Sequence, residues 1–274
     1  MINQSRSPIL RYAIASALCL FVAAGWAFPN QQTKQSRRPS KTAAHSAPLP
    51  LAPFRPGETL DFSGEWLKIN NTISARLIAA SESTFFGKVS WHLQAQLHTN
   101  NPLRMLFPLD DQFDSYSAAN DFQGLQFEMY LHESGKDQTN LLRLSSGAEN
   151  SAPPSGTTVV RVLPDTRDPL GFLYDLRSVN WSKTPEVSSP VFDGHNLYDV
   201  HAQMTTPSAL TQVAAGTFTA TGIAVHVLQK GVEMKDTKLT LWIAQDAART
   251  PVLLEMELPV GYGRIELVHS GPAK

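Results

Sequence analysis

From Glu58 onward, apolar and polar residues alternate in short segments, the period of a strand with one dry and one wet face. Leu60, Phe62, Gly64 and Trp66 oppose Asp61, Ser63 and Glu65. Val89, Trp91, Leu93, Ala95 and Leu97 oppose Lys88, Ser90, His92, Gln94, Gln96 and His98. The pattern returns in Leu125–Leu131, in Tyr198-Val200-Ala202, and in Phe218-Ala220-Gly222-Ala224. It returns again in Leu239–Ile243, Val252–Leu258 and Ile265–Leu267. Turn chemistry separates these runs at Glu133-Ser134-Gly135-Lys136, Asp193-Gly194-His195-Asn196, Gly231 and Gly261-Tyr262-Gly263. Many strands joined by short turns predict an all-β, antiparallel domain over 54–274. Gly64 and Gly222 fall on apolar faces inside strands, where glycine marks a sharp bend or a close backbone approach. Bends in a large sheet favour a curled sheet or incomplete β-barrel over a flat sandwich.

One segment, about 168–177, breaks the alternation. Asp168 is placed to cap a helix, Pro169 takes the first helical position, and Leu170, Leu173, Tyr174 and Arg177 follow at helical spacing. With Phe172 and Leu176 on a neighbouring face, so apolar a helix must be buried, as a plug in the concave side of the sheet. The preceding stretch, Ser145 to Ser155, is polar and proline-rich and reads as a surface insertion.

The first 57 residues follow different rules. Arg6 and Arg11 precede a short apolar run from Tyr12 to Ala24, and Gly25-Trp26-Ala27 supplies small residues for cleavage after Ala27. That is the pattern of a secretory signal over 1–27, with an uncleaved anchor as the plainer alternative. Cys19, the one cysteine, follows bulky Leu18 inside the apolar run, which argues against lipid attachment. The mature chain is then free of thiols and disulfides. Residues 28–53 shift to Gln, Ser, Lys, Arg and Pro without periodicity, which predicts a disordered basic linker. Residues 1–57 hold seven basic residues and no acid, which leaves 16 basic against 24 acidic residues in 58–274, a net charge of −8. An acidic domain argues against a nucleic-acid groove.

Several motifs resemble a family of exported bacterial proteins classed as domain of unknown function 3108. They are Phe54-Arg55-Pro56-Gly57-Glu58-Thr59-Leu60, Asp114-Ser115-Tyr116, the Glu133–Lys136 turn, and the helix from Asp168-Pro169-Leu170 to Leu176-Arg177. Gly216-Thr217-Phe218 and Trp242–Asp246 running to Arg249-Thr250-Pro251-Val252 complete the likeness, which covers roughly 54–268. Gly171-Phe172 departs from it, since small residues such as Ser-Ala are expected there. The resemblance implies a cell-envelope address and a curved antiparallel fold similar in kind to bacterial lipoprotein carriers. It implies no activity.

The chemistry is sparse. Asp199 and His201 share a strand face beside Asp193 and His195, but no third ligand or HExxH motif completes a metal site. No G-x-S-x-G elbow occurs. Glu58, Asp61, Glu65, Glu128 and Glu133 are candidates for a carboxylate pair. Arg177 and Glu58 each sit at an element end in apolar surroundings, and a buried arginine must be paired. Arg177 pairs with Glu58 or Asp246 as a pin on the helix, or holds an anionic head group in the concavity. Trp66, Trp91 and Phe218 are core, or with Tyr174 they line an apolar pocket.

These readings lead to an exported envelope protein, in the periplasm or secreted, non-enzymatic and needing no cofactor. It binds an apolar ligand such as a lipid or acyl chain, or docks to an envelope component. The alternatives are a periplasmic carboxylate-dependent hydrolase of envelope polysaccharide and a structural assembly partner.

Overall fold

The computed structural model describes residues 52–147, 154–259 and 261–272. The signal at 1–27, almost all of the linker, and the middle of the Ser145–Ser155 insertion lie outside the described residues. Fourteen strands form one sheet. The first wing runs through β1 (Glu58–Trp66), β2 (Ile69–Phe85), β3 (Lys88–Thr99), β4 (Asp110–Ala118), β5 (Gly124–Glu133), β6 (Lys136–Ser145) and β7 (Thr157–Arg161). The second runs through β8 (Glu186–Phe192), β9 (Leu197–Val213), β10 (Gly216–Gln229), β11 (Val232–Glu233), β12 (Lys238–Ala244), β13 (Pro251–Leu258) and β14 (Gly261–Pro272). A single turn of helix, α1 (Leu103–Leu106), joins β3 to β4, and the longer α2 (Pro169–Ser178) lies between the wings.

Pairing of β1 with β14 sews the wings together along one side. On the other side the outer edges, β7 and β8, do not pair with each other. A short stretch of backbone spans this gap. Gly124 of β5 donates to the Thr166 carbonyl at 2.9 Å, while Arg167 exchanges two backbone bonds with β8, to Pro190 and from Phe192. The curl is therefore an incomplete barrel with a stitched seam, as the bent, alternating pattern predicts. Antiparallel pairing holds throughout except between β6 and β7, which run parallel after the insertion.

The strand glycines mark close approaches. A Cβ on Gly64 would lie 2.9 Å from the Ile73 Cβ, and one on Gly222 would lie 3.0 Å from the Trp242 ring. The β1–β2 register shifts just after Gly64, and the β9–β10 register shifts on both sides of Gly222. This second irregularity overturns one expected face. The strand leaves Gly222 with Ile223, Val225 and Val227 in the core, in place of a continuous Phe218–Ala224 face. The Gly261–Gly263 turn also moves, because β14 already begins at Gly261. Gly263 lies inside the strand because the Trp66 ring covers it, 2.7 Å from where a Cβ would be. At 133–136 the turn forms as predicted, with positive φ at Ser134 and Gly135, the signature of a two-residue hairpin.

Helix α2 starts as its sequence dictates. Asp168, fully buried, accepts from the backbone N–H of Leu170 and Gly171 through Oδ1. Its Oδ2 accepts from the Ser115 hydroxyl at 2.6 Å on the inner face of β4. Burial pushes this carboxyl up, and the four N–H and O–H groups around it oppose that shift. Gly171 is needed because a Cβ there would sit 2.5 Å from the Ser117 hydroxyl. The side chains of Leu170, Phe172, Leu173, Tyr174 and Leu176 are all buried. The seam also grips the helix, since Arg167 reaches Asp175 at 3.1 Å and Ser189 at 2.8 Å.

Candidate functional site

Two places concentrate chemistry: the buried C-terminal end of α2, and a groove on the outer face of the first wing, crossed by a row of polar side chains. Arg177 reaches the inside of the curl through a fully buried guanidinium. Glu58, at the start of β1, meets it at two points, 2.7 Å to Nη1 and 3.0 Å to Nη2. Nε and Nη2 also donate to the carbonyls of Arg249 and Ala248. The rings of Phe54 and Tyr174 flank the cation at 4.9 and 4.8 Å. Phe54 packs edge-on against both Trp91 and Tyr174. Protein groups occupy the rim and surroundings of the guanidinium, so an anionic head group would have to displace one of them.

Asp246 does not meet Arg177. Its carboxylate accepts from the backbone N–H and the hydroxyl of Thr250, closing the β12–β13 turn. That turn presents the Ala248 and Arg249 carbonyls to Arg177, so Asp246 acts on the cluster through the backbone. Of the two partners expected from sequence, Glu58 is the one that Arg177 meets, while Asp246 is taken up by its own 246–250 turn. Arg249, which the sequence marks only as part of the family likeness and to which it gives no role, completes the exchange by donating to the carbonyls of Ser178 and Val179 at the helix end. Its signal was a cation just after a turn acid, which in sequence looks like any surface arginine. Tyr174 is fully buried, and burial pushes its phenol up. Trp66 lies against Gly263 and Trp91 against Phe54, both in the core.

An apolar cavity of about 40 Å³ lies between Leu173 of α2 and the inward faces of Phe62, Leu77, Leu241, Leu253 and Ile265. Sites for drug-sized ligands run from roughly 300 to 1,000 Å³. This cavity by itself is smaller than such a site.

Outside the curl, a groove of about 760 Å³ crosses β1 to β6. Register aligns a row of polar side chains across it: Asp61, Arg76, Gln96, Gln112, Tyr130 and Thr139 are successive cross-strand partners. Arg76 binds Asp61 at 2.6 Å. At one side His98 and Arg104 hold Asp110, and Arg104 chiefly draws that carboxyl below its ordinary range. At the other, His132 pairs with Asp137 at 2.5 Å, a bond that raises the imidazole. Beside the row Asp114 accepts from His92, Gln94 and Gln112. Burial pushes the Asp114 carboxyl up, but these three donors outweigh it and leave it lowered. The Asp111 side chain, on the opposite face of β4 from this row, is buried, and burial pushes its carboxyl up to about 7. Sequence reasoning missed the groove, although each residue of the β1 and β3 part of the row was assigned to a wet face.

The remaining candidates do not converge. Among the five carboxylates, Asp61 lines the groove, Glu58 lies in the Arg177 cluster, and Glu128 binds Tyr130 and Gln126. Glu65 stands opposite Arg264, and Glu133 closes the β5–β6 hairpin. Asp193 caps its own turn through the N–H groups of His195 and Asn196, and His201 pairs with Ser188. Among the described residues no group of three or more metal-capable side chains gathers, and no helix is long and apolar enough to cross a membrane.

The family described as Protein of unknown function (DUF3108) matches residues 61–268. No curated protein matches the chain. Among solved structures, a β-barrel-like protein of domain of unknown function DUF1849 from Brucella abortus shares 8% identity. The match covers 78% of this chain and 97% of that one, with a TM-score of 0.48. A protein provisionally described as a lipoprotein, from Parabacteroides distasonis, shares 10% identity over 79% and 96% of the two chains, with a TM-score of 0.36. A provisionally described exported protein with a YmcC-like fold from Bacteroides fragilis shares 7% identity over 79% and 96%, with a TM-score of 0.30.

Proposed function

We propose that this chain, which belongs to the DUF3108 family, is a non-enzymatic exported protein that docks to a cell-envelope component through its outer groove. The observation that carries the reading is a contrast in volume. The apolar cavity beside Leu173 holds about 40 Å³, whereas the outer groove over β1–β6 offers about 760 Å³. Of the two binding modes that the sequence suggests, this contrast favours docking on the outer face over an apolar ligand in the curl. The N-terminal signal pattern supplies the address. The Arg177–Glu58 cluster acts as a structural pin, holding α2 against β1 and the 246–250 turn so that the sheet keeps its curl.

The test is to produce the full chain in a Gram-negative host, fractionate the cells, and co-sediment the purified protein with isolated envelope fragments. Export and saturable sedimentation are the expected results. A protein retained in the cytoplasm, or one that never sediments, refutes the docking reading. Native mass spectrometry with organic extraction is the second arm, and a stoichiometric extracted amphiphile would return the assignment to a lipid carrier.

A further inference from the structure

The β4–β5 ladder is interrupted at one corner, and a carboxyl fills the break. Pairing runs from Ser117 to Gln112, then resumes at the Leu109–Glu133 bridge and at Ser134, whose N–H donates to the Pro108 carbonyl at 2.9 Å. In between, the His132 N–H donates to the Asp111 side chain, to Oδ1 at 2.9 Å, in place of a backbone carbonyl. Asp111 stands in the inward line of β4 between Leu109 and Phe113, opposite Leu97 of β3, and all four are buried. Its Oδ2 is buried too and has no hydrogen-bond partner among the described residues. A carboxylate held out of water needs several donors, and this one has a single N–H.

The charged groups around the corner do not make up the deficit. Asp110 beside it and Glu133 of β5 are like charges that disfavour ionisation, whereas His132, when protonated, favours it. Arg104 of α1 and His98 of β3 are held on Asp110, and Asp137 of β6 is held on His132. Lys136, across the hairpin from Glu133, is exposed at its tip. Burial is the largest influence on Asp111 and pushes its carboxyl up to about 7. The protonated acid still accepts from the His132 N–H and places no charge in the apolar face. The corner bears on the outer groove because β5 and β6 supply one wall of it, with Tyr130, Leu131, His132, Asp137, Gln138 and Thr139.

We propose that Asp111 is a proton-controlled clasp that fastens β5 to β4 at His132, closed while its carboxyl holds a proton and loosened when the proton leaves. Ionisation puts a charge with one donor among Leu97, Leu109 and Phe113, and the corner opens to bring water to it. Opening frees the end of the β5–β6 hairpin from the β3–β4 connection, so this wall of the groove is firm at acid pH and loose at neutral pH and above. The sign follows from linkage. A carboxyl raised in the closed form stabilises that form at low pH, and the contribution is lost as pH rises from about 4 to about 7 and changes no further above that. As a regulator of the groove the clasp rests on the docking reading; as a local opening of the β4–β5 corner it does not.

Amide hydrogen exchange on the full chain, with each rate divided by the intrinsic rate at that pH, reads the clasp without any ligand. Protection of the His132 and Ser134 amides should fall by about tenfold or more between about pH 5 and pH 8. Their exchange should respond little to urea below the unfolding transition, the mark of a local opening. Asp111→Asn keeps an acceptor for the His132 N–H and cannot ionise, so its protection should stay high at both pH values, while His132→Gln should keep the fall. Circular dichroism checks that each variant is folded, and an NMR titration of the Asp111 side-chain carbon in the parent chain needs no variant. The clasp is overturned by a carboxyl already ionised at about pH 5, by equal protection at both pH values, or by exchange that follows global unfolding in urea. It is also overturned if a folded Asp111→Asn retains the fall or if His132→Gln loses it, which would make the imidazole the switch. Envelope co-sedimentation should be tighter at about pH 5 than at pH 8 in the parent and equal in Asp111→Asn. Equal sedimentation of the parent while its amides respond overturns regulation of the groove. A parent that sediments at neither pH removes docking and leaves the exchange result to decide the clasp.

Discussion

Removing the Glu58 carboxylate should leave Arg177 with a buried charge and no counter-charge. The guanidinium is fully buried and contacts Glu58 at 2.7 and 3.0 Å, while Glu58 itself keeps 15% of its side-chain surface. Breaking a buried pair from one side costs about 3–5 kcal/mol. Here the carbonyls of Ala248 and Arg249 and the rings of Phe54 and Tyr174 remain to solvate the cation. The partial exposure of Glu58 also admits water once the side chain is cut back, so the lower end, about 3 kcal/mol, applies to Glu58→Ala. Against a total of about 5–15 kcal/mol that is a large share. With a urea slope of about 3 kcal/mol/M, the midpoint should fall by about 1 M. Arg177→Met, which replaces the cation with an apolar chain of similar reach, leaves only a partly exposed carboxylate behind. The double variant Glu58→Gln/Arg177→Met should therefore be more stable than Glu58→Ala. Urea unfolding followed by tryptophan fluorescence reads all three, since Trp91 contacts Phe54 in the cluster. A loss below about 1 kcal/mol in Glu58→Ala, or a double variant no better than the single, would refute the pin.

Gly171→Ala should destabilise the protein by about 1–3 kcal/mol, because its Cβ would lie 2.5 Å from the Ser117 hydroxyl. Ser117→Ala in the same chain should restore part of that loss in a thermal melt, and no restoration would show the strain to lie elsewhere. The buried Asp111 carboxyl is raised to about 7 by burial, so the folded state holds a proton between about pH 4 and 7 that the unfolded state releases. Stability should then fall as pH rises through that window, by up to about 4 kcal/mol, and Asp111→Asn should flatten the dependence and be the more stable chain at pH 8. Urea midpoints at about pH 4 and pH 8 check this, and parallel curves for parent and variant would refute it. Asp246→Ala removes the acceptor for the Thr250 N–H and hydroxyl, and should cost about 1–2 kcal/mol. If its only role is to shape the turn, combining it with Glu58→Ala should cost more than the sum, since both loosen the partners of Arg177.

Local order was legible wherever local chemistry decides it. Alternation in β1, β3, β5, β12 and β13 came from side-chain periodicity, and the cap of α2 came from Asp168 and Pro169 at their proper offsets. β2, β4, β6, β7 and β8 were not marked out as strands from their own pattern. In β4, Asp111, Ser115 and Ser117 face inward, so the polar residues that satisfy α2 break the apolar face that would betray a strand. The end of the Phe218–Ala224 face was misplaced for a similar reason. A bulge shifts a two-residue period by one, and nothing in the local sequence announces which side of Gly222 takes the extra residue.

By itself, then, the sequence determined the class of the fold, the bends at Gly64 and Gly222, the buried helix, and Arg177 as a cation that must find a partner. Each of these follows from period, glycine geometry or the cost of burying charge, and all of those act within a few residues. The choice of Glu58 over Asp246, the carbonyls of the 246–250 turn, the stitched seam at Thr166–Arg167, and the polar row across six strands were decided only by the tertiary structure. They depend on register and curl, which bring together residues as far apart as Glu58 and Arg177. Register is set by the sum of many cross-strand contacts, and no single segment carries it.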